Sequence, residues 1–244
     1  LNCPFGTGHM GVTAENVANE HGISRDAQDS FALTSQTRAA AAIEAGHFDS
    51  QIVPVMVRKK RDEIPFARDE HPKATNAEQL AALRPVFVKD GSVTAGNASG
   101  INDGAAALVL AREDAASAGG LTPKARVLGY AHAGVRPEVM GIGPIPAVQA
   151  LLTRTGLNAA DFDVIESNEA FAAQACAVTK SLGLDPEKVN PNGGAIALGH
   201  PVGATGAIIT LKALYELHRT GGKLALVTMC IGGGQGIALA LERI

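Results

Sequence analysis

The second half of the chain alternates between short apolar runs and longer amphipathic stretches, and this rhythm limits the folds that it can adopt. The short runs are rich in valine, leucine and alanine, while the longer stretches repeat apolar residues every three or four positions. Strands this apolar are expected to be covered by helices on both faces. The sequence therefore predicts an α/β fold in layers. The expected strands cover residues 125–130, 164–166, 224–229 and 236–241, and the expected helices cover 147–155, 170–182 and 203–218.

The first half is less regular. Residues 11–46 are expected to form two helices, because Ser24 follows His21-Gly22 and can cap the second helix. The run Arg58-Lys-Lys-Arg61 is followed at once by Asp62-Glu63, which favours a solvated surface over an anion-binding patch. Further predictions are a strand at 52–57, an irregular polar excursion at 58–83 with a short helix at 77–83, a strand at 105–110 and a helix at 112–118.

Two glycine-rich segments hold one histidine and one cysteine where the backbone can approach a ligand closely. His200 precedes Pro201, just before an expected helix, and the partial positive charge there suits a neutral imidazole that relays a proton. A purely structural histidine is the alternative. Cys230 ends an apolar strand and is followed by Gly232-Gly-Gly234, whose backbone N–H groups could form an oxyanion hole. Its alternative is a packing cysteine.

Asn168 follows the expected strand segment Asp163-Val-Ile-Glu-Ser167 at the point where a helix is expected to begin. One interpretation is a helix cap, which needs no active site. The other places Asn168 beside Cys230, because ligands bind at the carboxyl ends of strands in layered α/β folds. The residues alone leave both open. Cys176, inside an alanine-rich helical stretch, is expected to be core.

Composition excludes several classes of function. The 244 residues, 46% of them hydrophobic, can form a large core, and the net charge of −3 offers no basic surface for nucleic acid or an anionic membrane. The three cysteines are too scattered for a disulfide framework, and no metal-binding spacing is present, so no metal is expected. No signal peptide and no apolar run of roughly 20 residues is recognisable, which favours a cytoplasmic location.

Three motifs follow one another along the chain: Asn168-Glu-Ala-Phe171, Gly199-His200-Pro201 and Cys230-Ile-Gly-Gly-Gly-Gln-Gly236. In this order they resemble the thiolase family, specifically its biosynthetic acetyl-CoA acetyltransferases or β-ketothiolases, and the resemblance runs from about His9 to the C-terminus. The resemblance implies a layered αβαβα fold. It also implies that two acyl-CoA molecules, such as acetyl-CoA, condense to a 3-ketoacyl-CoA, such as acetoacetyl-CoA, plus CoA, or that the reverse thiolysis occurs. CoA thioesters are then substrates, and no cofactor is implied.

The resemblance also implies roles for individual residues. His200 would take the proton of a nucleophilic cysteine, and Cys230 would move the proton at the substrate α-carbon. Asn168 would hold a water that binds one thioester oxygen together with His200, and the Gly232 N–H would contribute to a second oxyanion hole. The residues expected to line the CoA and acyl path are His9, Met10, Ala95, Ser99, Met140, Ala170 and Phe171.

One departure from the family concerns the nucleophile. Thiolases place their nucleophilic cysteine well before the position that matches His9, and Cys3 lacks the flanking motif, so it is not assigned that role. We therefore expect an incomplete fold, with most of the first core half and the nucleophile absent, and a chain that is inactive alone. The expected divisions are 1–102, the remainder of a substrate-covering loop domain; 103–122, the last strand and helix of the N-terminal core half; and 123–244, the C-terminal core half.

The same residues allow other functions. A degradative 3-ketoacyl-CoA thiolase would share them and cleave longer chains, whereas a noncatalytic acyl-CoA-binding or assembly fragment would keep only the binding residues. The expected partners are acyl-CoA or CoA and further protein chains, either in a homodimer or tetramer or as a complementing N-terminal half.

Overall fold

The computed structural model describes all of residues 1–244 and confirms the predicted α/β class. The strands are β1 (Val55–Lys59), β2 (Asp62–Phe66), β3 (Ala125–Gly134), β4 (Val164–Ser167), β5 (Leu224–Ile231) and β6 (Gln235–Arg243). The α-helices are α1 (Met10–His21), α2 (Arg25–Glu44), α3 (Ala77–Ala81), α4 (Glu113–Ala118), α5 (Pro144–Thr155), α6 (Ala172–Leu182), α7 (Ala195–Leu198) and α8 (Thr205–Thr220). Two 3₁₀ helices cover Pro137–Ile142 and Ala159–Asp161.

A four-stranded mixed sheet, in the order β3-β6-β5-β4, forms the centre of the second half. β4 and β5 are parallel neighbours, whereas β6 is antiparallel to both β3 and β5. All four strands predicted for this half are present, and each is extended by a few residues. No helix of the chain is long and apolar enough to cross a bilayer.

Successive side chains of the central strands enter two different cores. Ile165 and Leu226 pack with Leu151 of α5 on one face of the sheet. On the other face, β-strand residues that include Val227 pack with Leu217 of α8. This alternation is the two-residue period of a strand, so β4 and β5 are covered on both faces, as their apolar sequence predicts. α1 and α2 contact α6 and extend the helical side beyond the first core.

The predicted strand at 105–110 is wrong. This run is extended but pairs with no other segment, and Val109 and Leu110 are 91% and 79% exposed. An apolar run becomes a strand only where a neighbouring backbone supplies partners for its N–H and C=O groups. No segment of this chain does so here. The helix expected just after it is confirmed as α4.

The predicted strand at 52–57 is shifted, and its partner strand was not predicted. β1 pairs with β2 in an exposed antiparallel hairpin, in which Arg58 lies opposite Glu63. Because neither face is buried, the hairpin lacks the apolar alternation by which strands are recognised. The basic run lies on this exposed hairpin, consistent with a solvated surface.

A buried ion pair connects the sheet to α8. The Nζ of Lys212 lies 2.8 Å from Oε2 of Glu166 and donates to the carbonyl oxygen of Gly193 over 2.6 Å. Their side chains are 7% and 1% exposed, respectively. Burial raises the pKa of Glu166 to about 7, although the lysine opposes that rise. Lys212 therefore links β4, α8 and the loop before α7 at one point.

Replacing Lys212 with methionine should lower the free energy of unfolding by about 3–5 kcal/mol, because the buried Glu166 would lose its counter-charge and its donor and would have to take up a proton. Urea denaturation measures this change. The matched control is Lys223→Met, since Lys223 pairs with Glu242 but is 70% exposed, and its loss should cost less than about 1 kcal/mol. Equal effects of the two substitutions would contradict a charged buried pair.

Candidate active site

The parallel pairing of β4 and β5 brings two predicted site residues to one edge of the sheet. Ser167, the last residue of β4, lies opposite Thr228 of β5, and the backbone N–H of Asn168 donates to the Thr228 carbonyl over 3.0 Å. Cys230 follows Thr228 by two residues near the end of β5. Parallel strands expose their carboxyl ends at the same edge, which is where ligands bind in such folds.

The structure pairs Asn168 with His200. The side-chain nitrogen of Asn168 lies 3.3 Å from Nε2 of His200. The helix-cap interpretation of Asn168 is wrong, because α6 begins at Ala172 and its N-cap residue is Phe171. The Asn168 side chain points instead to the imidazole, and its Oδ1 is buried without a hydrogen-bond partner.

His200 lies in the short segment between α7 and α8 and is held from its backbone and its ring. Its backbone N–H donates to Oδ1 of Asn102 over 3.0 Å, and its Nδ1 lies 2.7 Å from Oγ1 of Thr205. Gly199 has φ +96°, and a Cβ there would lie only 2.5 Å from Asn102 Oδ1, so this position requires glycine. Burial lowers the pKa of His200, which keeps the imidazole neutral at pH 7.

Glu169 anchors the loop that leads to His200. This buried carboxylate accepts hydrogen bonds from Ser35 Oγ at 2.6 Å, Asn190 Nδ2 at 2.8 Å and the Ile196 N–H at 3.2 Å. Ser35 Oγ also accepts from the N–H of Gly194 over 3.0 Å. Burial raises the pKa of Glu169, and these hydrogen bonds oppose the rise. The residue after Asn168 therefore fixes α2 and the start of α7 relative to the sheet edge.

Ser35→Ala should destabilise the fold by about 1–3 kcal/mol, because the Gly194 N–H and one Glu169 oxygen stay buried after losing the Ser35 hydroxyl as a hydrogen-bond partner. Thermal or urea unfolding measures the loss. Thr34→Ala is the matched control, since Thr34 is exposed on the same helix and bonds only to the Ser30 carbonyl. If both variants unfold like the original chain, the Glu169 network does not hold this loop.

A buried cluster surrounds Cys230. Four of its other members are residues predicted to line the substrate path. Burial raises the pKa of the Cys230 thiol to about 12. The thiol is therefore protonated at neutral pH. The members of the cluster are Cys3, Met10, Ala14, Val93, Met140, Ala170, Phe171 and Cys230.

Cys3 belongs to this cluster although its role is unassigned. The Thr7 side chain and nearby backbone N–H groups, including that of Gly233, lower the pKa of Cys3. The first residues of the chain therefore contact the glycine turn that follows Cys230.

The glycine turn itself joins β5 to β6. Gly233 and Gly234 both have φ +90°, and the carbonyl of Gly234 accepts from the N–H of Val135 over 2.7 Å. Gly232 is exposed in this turn, and a Cβ there would lie 3.8 Å from the sulfur of Met10. The turn thus presents backbone beside the Cys230 cluster, as the sequence predicts for this segment.

The remaining predicted residues lie along a row of rings that leads from this cluster. His9 stacks on Phe87 with ring centroids 4.8 Å apart, and Phe87 meets Phe171 edge to face at 6.1 Å. Ala95 and Ser99 line a cavity of about 260 Å³ together with Phe87. Ser99 Oγ donates to the Ala170 carbonyl over 2.9 Å, which connects the cavity wall to the cluster.

Sequence reasoning missed several residues that shape this region. Glu169 lies inside the first motif and could have been noticed there, whereas Thr205 lies four residues beyond Pro201 and outside all three motifs. Nothing in the sequence distinguishes Phe87 or Asn102. Cys176, expected to be core, is only partly buried at the edge of the cluster between α1 and α6.

Two family models match the chain. The thiolase C-terminal domain matches residues 121–243, and the thiolase N-terminal domain matches residues 1–114. N-terminal thiolase sequence is therefore present, and the expectation that the chain is inactive alone finds no support in these matches. The division at 1–102, 103–122 and 123–244 stays a prediction.

The chain is similar to proteins that are named as thiolases or acetyl-CoA acetyltransferases. Beta-ketothiolase BktB of Cupriavidus necator is 61% identical, over 100% of this chain and 62% of that protein. The crystal structure of the Bacillus anthracis acetyl-CoA acetyltransferase matches with a TM-score of 0.98 and 51% identity, over 100% of this chain and 62% of that chain. Human mitochondrial 3-ketoacyl-CoA thiolase in complex with CoA matches with a TM-score of 0.90 and 46% identity, over 97% of this chain and 59% of that chain.

The chain spans about 62% of the length of the relatives it matches. Over that span the fold is the thiolase fold, the C-terminal family model covers the three motifs, and the two models together cover the site described above. The chain therefore belongs to the thiolase family.

Proposed function

We propose that this chain carries out thiolase-type acyl transfer between CoA thioesters, with acetyl-CoA as the acyl donor and acceptor. The observation that supports this most strongly is the placement of Asn168, His200 and Cys230 at one edge of the sheet, beside an apolar cluster. The structure of a relative in complex with CoA adds to this support. Neither a metal nor a resident cofactor enters the proposed reaction.

His200 acts first. Because burial lowers its pKa, the neutral ring can take the proton of a nucleophilic cysteine, which remains unassigned in this chain. The thiolate then attacks the thioester carbonyl carbon, the acyl group moves to the cysteine sulfur, and the CoA sulfur leaves with the proton of the Cys230 thiol, so that Cys230 becomes a thiolate. One thioester replaces another, so this exchange is nearly isoenergetic and the barrier lies mainly in the charged tetrahedral intermediate.

Cys230 acts in the second half of the reaction. A base for the α-carbon of a thioester must be strong, because that C–H is a weak acid, and a thiol whose pKa is raised to about 12 gives a strongly basic thiolate. As a thiolate, Cys230 removes the α-proton of the second acyl-CoA, and the resulting carbanion attacks the acyl-cysteine. The products are a 3-ketoacyl-CoA and the nucleophilic cysteine, to whose sulfur His200 returns the proton that it took.

Oxyanions form in both halves and need donors that are already in place. Asn168 would hold a water that donates to one thioester oxygen together with His200. The Gly232 N–H would donate to the other oxyanion, since the turn presents exposed backbone next to Met10. His9, Ala95 and Ser99 would line the CoA arm along the row of rings.

Cys230→Ala should reduce turnover by about 10²–10⁴-fold, the usual contribution of a general acid–base group, while CoA affinity stays nearly unchanged. Steady-state thiolysis of acetoacetyl-CoA and calorimetric CoA binding measure the two quantities. Cys176→Ala is the matched control, because Cys176 is a partly buried cysteine outside the cluster and its loss should leave turnover intact.

Turnover that survives in Cys230→Ala would remove the acid–base role. CoA binding by the unchanged chain with no thiolysis at all would favour the noncatalytic acyl-CoA-binding function instead.

Short acyl chains should be preferred over long ones. Met10, Met140 and Phe171 are all buried against Cys230 and leave little apolar space for a long chain. Thiolysis of acetoacetyl-CoA should therefore have the higher kcat/KM when compared with a long 3-ketoacyl-CoA, and Met140→Ala should reduce that difference. A preference for the long substrate would assign the degradative 3-ketoacyl-CoA activity instead.

We also propose that the active protein is an assembly, either a homodimer or tetramer or a pairing with complementary N-terminal thiolase sequence. Ile101, Val109 and Leu110 are large apolar residues that are mostly exposed, and this supports a partner that covers them.

A further inference from the structure

Thr205 is the first residue of α8 and contacts the ring of His200. It is 2% exposed, and its Oγ1 lies 2.7 Å from Nδ1 of His200. The same hydroxyl donates to the carbonyl oxygen of Pro201 over 2.8 Å. Thr205 therefore connects the imidazole to the backbone that begins the helix.

The proton of this hydroxyl determines the tautomer of the ring. A hydroxyl has a single proton, and a carbonyl oxygen can only accept. When Thr205 donates to Pro201, the oxygen that faces Nδ1 is an acceptor, so Nδ1 must carry the ring proton.

The other ring nitrogen leads to the same assignment. Nε2 faces the side-chain nitrogen of Asn168 at 3.3 Å, and an amide nitrogen can only donate. With the amide in this orientation, Nε2 is the unprotonated nitrogen. A neutral imidazole carries one ring proton, and both contacts place it on Nδ1.

We propose that Thr205 is a positioning residue that keeps the proton of neutral His200 on Nδ1 and thereby leaves the Nε2 lone pair facing Asn168 and the sheet edge. Its importance for turnover rests on the proposed function, in which Nε2 accepts the proton of the nucleophile. The tautomer itself can be observed whether or not the chain turns over substrate.

Nitrogen NMR of histidine-labelled protein reads the tautomer directly, because protonated and unprotonated ring nitrogens have different ¹⁵N shifts. The His200 signals are identified by their loss in His200→Gln. In the unchanged chain, Nδ1 of His200 should be protonated and Nε2 unprotonated. Thr205→Val should produce a mixture of tautomers, since one ordinary hydrogen bond maintains a ratio of about ten to one. It should lower kcat for acetoacetyl-CoA thiolysis by about twofold, with KM little changed. Thr205→Ser should restore both.

Thr210→Val is the matched control, since Thr210 lies on the same helix and makes the same type of bond, to the Gly206 carbonyl over 2.7 Å, without contacting His200. It should leave the tautomer and kcat unchanged. The proposal is overturned by a proton on Nε2 in the unchanged chain, which would mean that the Asn168 amide is turned over, or by an equal effect of Thr210→Val. If Nε2 is unprotonated in a chain that shows no thiolase turnover, the tautomer assignment is supported and only the proposed function is contradicted. If Thr205→Val does not fold, the unchanged chain and Thr205→Ser still decide between the two tautomers.

Discussion

The buried carboxylate of Glu169 is the interaction on which the site depends most. It follows Asn168 directly, and its three donors come from α2, from the loop after α6 and from α7. Elements far apart in the sequence are thus fixed to the end of one strand through a single side chain. Because a buried carboxylate is costly unless its oxygens are satisfied, these donors must all stay in place. The residue that stabilises the fold here also sets where Asn168 and His200 can lie, and packing alone would not provide that orientation.

Burial shifts the pKa values of the two titrating groups of the site in opposite directions, and both shifts favour the neutral form. It lowers the pKa of His200 and raises that of Cys230, because in each case it disfavours the charged form. Both side chains therefore rest in their neutral states at pH 7. A neutral imidazole can accept a proton and a neutral thiol can donate one, which suits proton transfer in both directions of a reversible reaction. The apolar cluster around Cys230 is thus part of the chemistry as well as of the core.

The sequence predicts the second half well and the first half less well, for identifiable reasons. The strands and helices from residue 125 onward follow apolar periodicities that burial on two faces imposes, so they can be read directly. The run at 105–110 carries the same signal but has no pairing partner, and pairing is a property of the whole fold that no local pattern contains. The exposed hairpin β1–β2 was missed for the opposite reason, since its strands are paired but their sequences show no apolar alternation. For the site, the motifs indicate Asn168, His200 and Cys230, whereas Asn168 as a helix cap could be rejected only once the start of α6 at Ala172 was known.

The residues that motif reasoning missed share one property, which is that their effect is exerted through a neighbour. Phe87 connects His9 to Phe171 by ring contacts, Asn102 holds the backbone of His200, and Thr205 faces its ring. Each lies at a place where the chain returns to the site from a distant segment, or where a helix begins. Such residues have no characteristic sequence pattern, because the groups that they orient are defined only by the tertiary fold. The catalytic residue types are thus visible in the sequence, while the angles and protonation states that make them useful depend on contacts that only the folded chain creates.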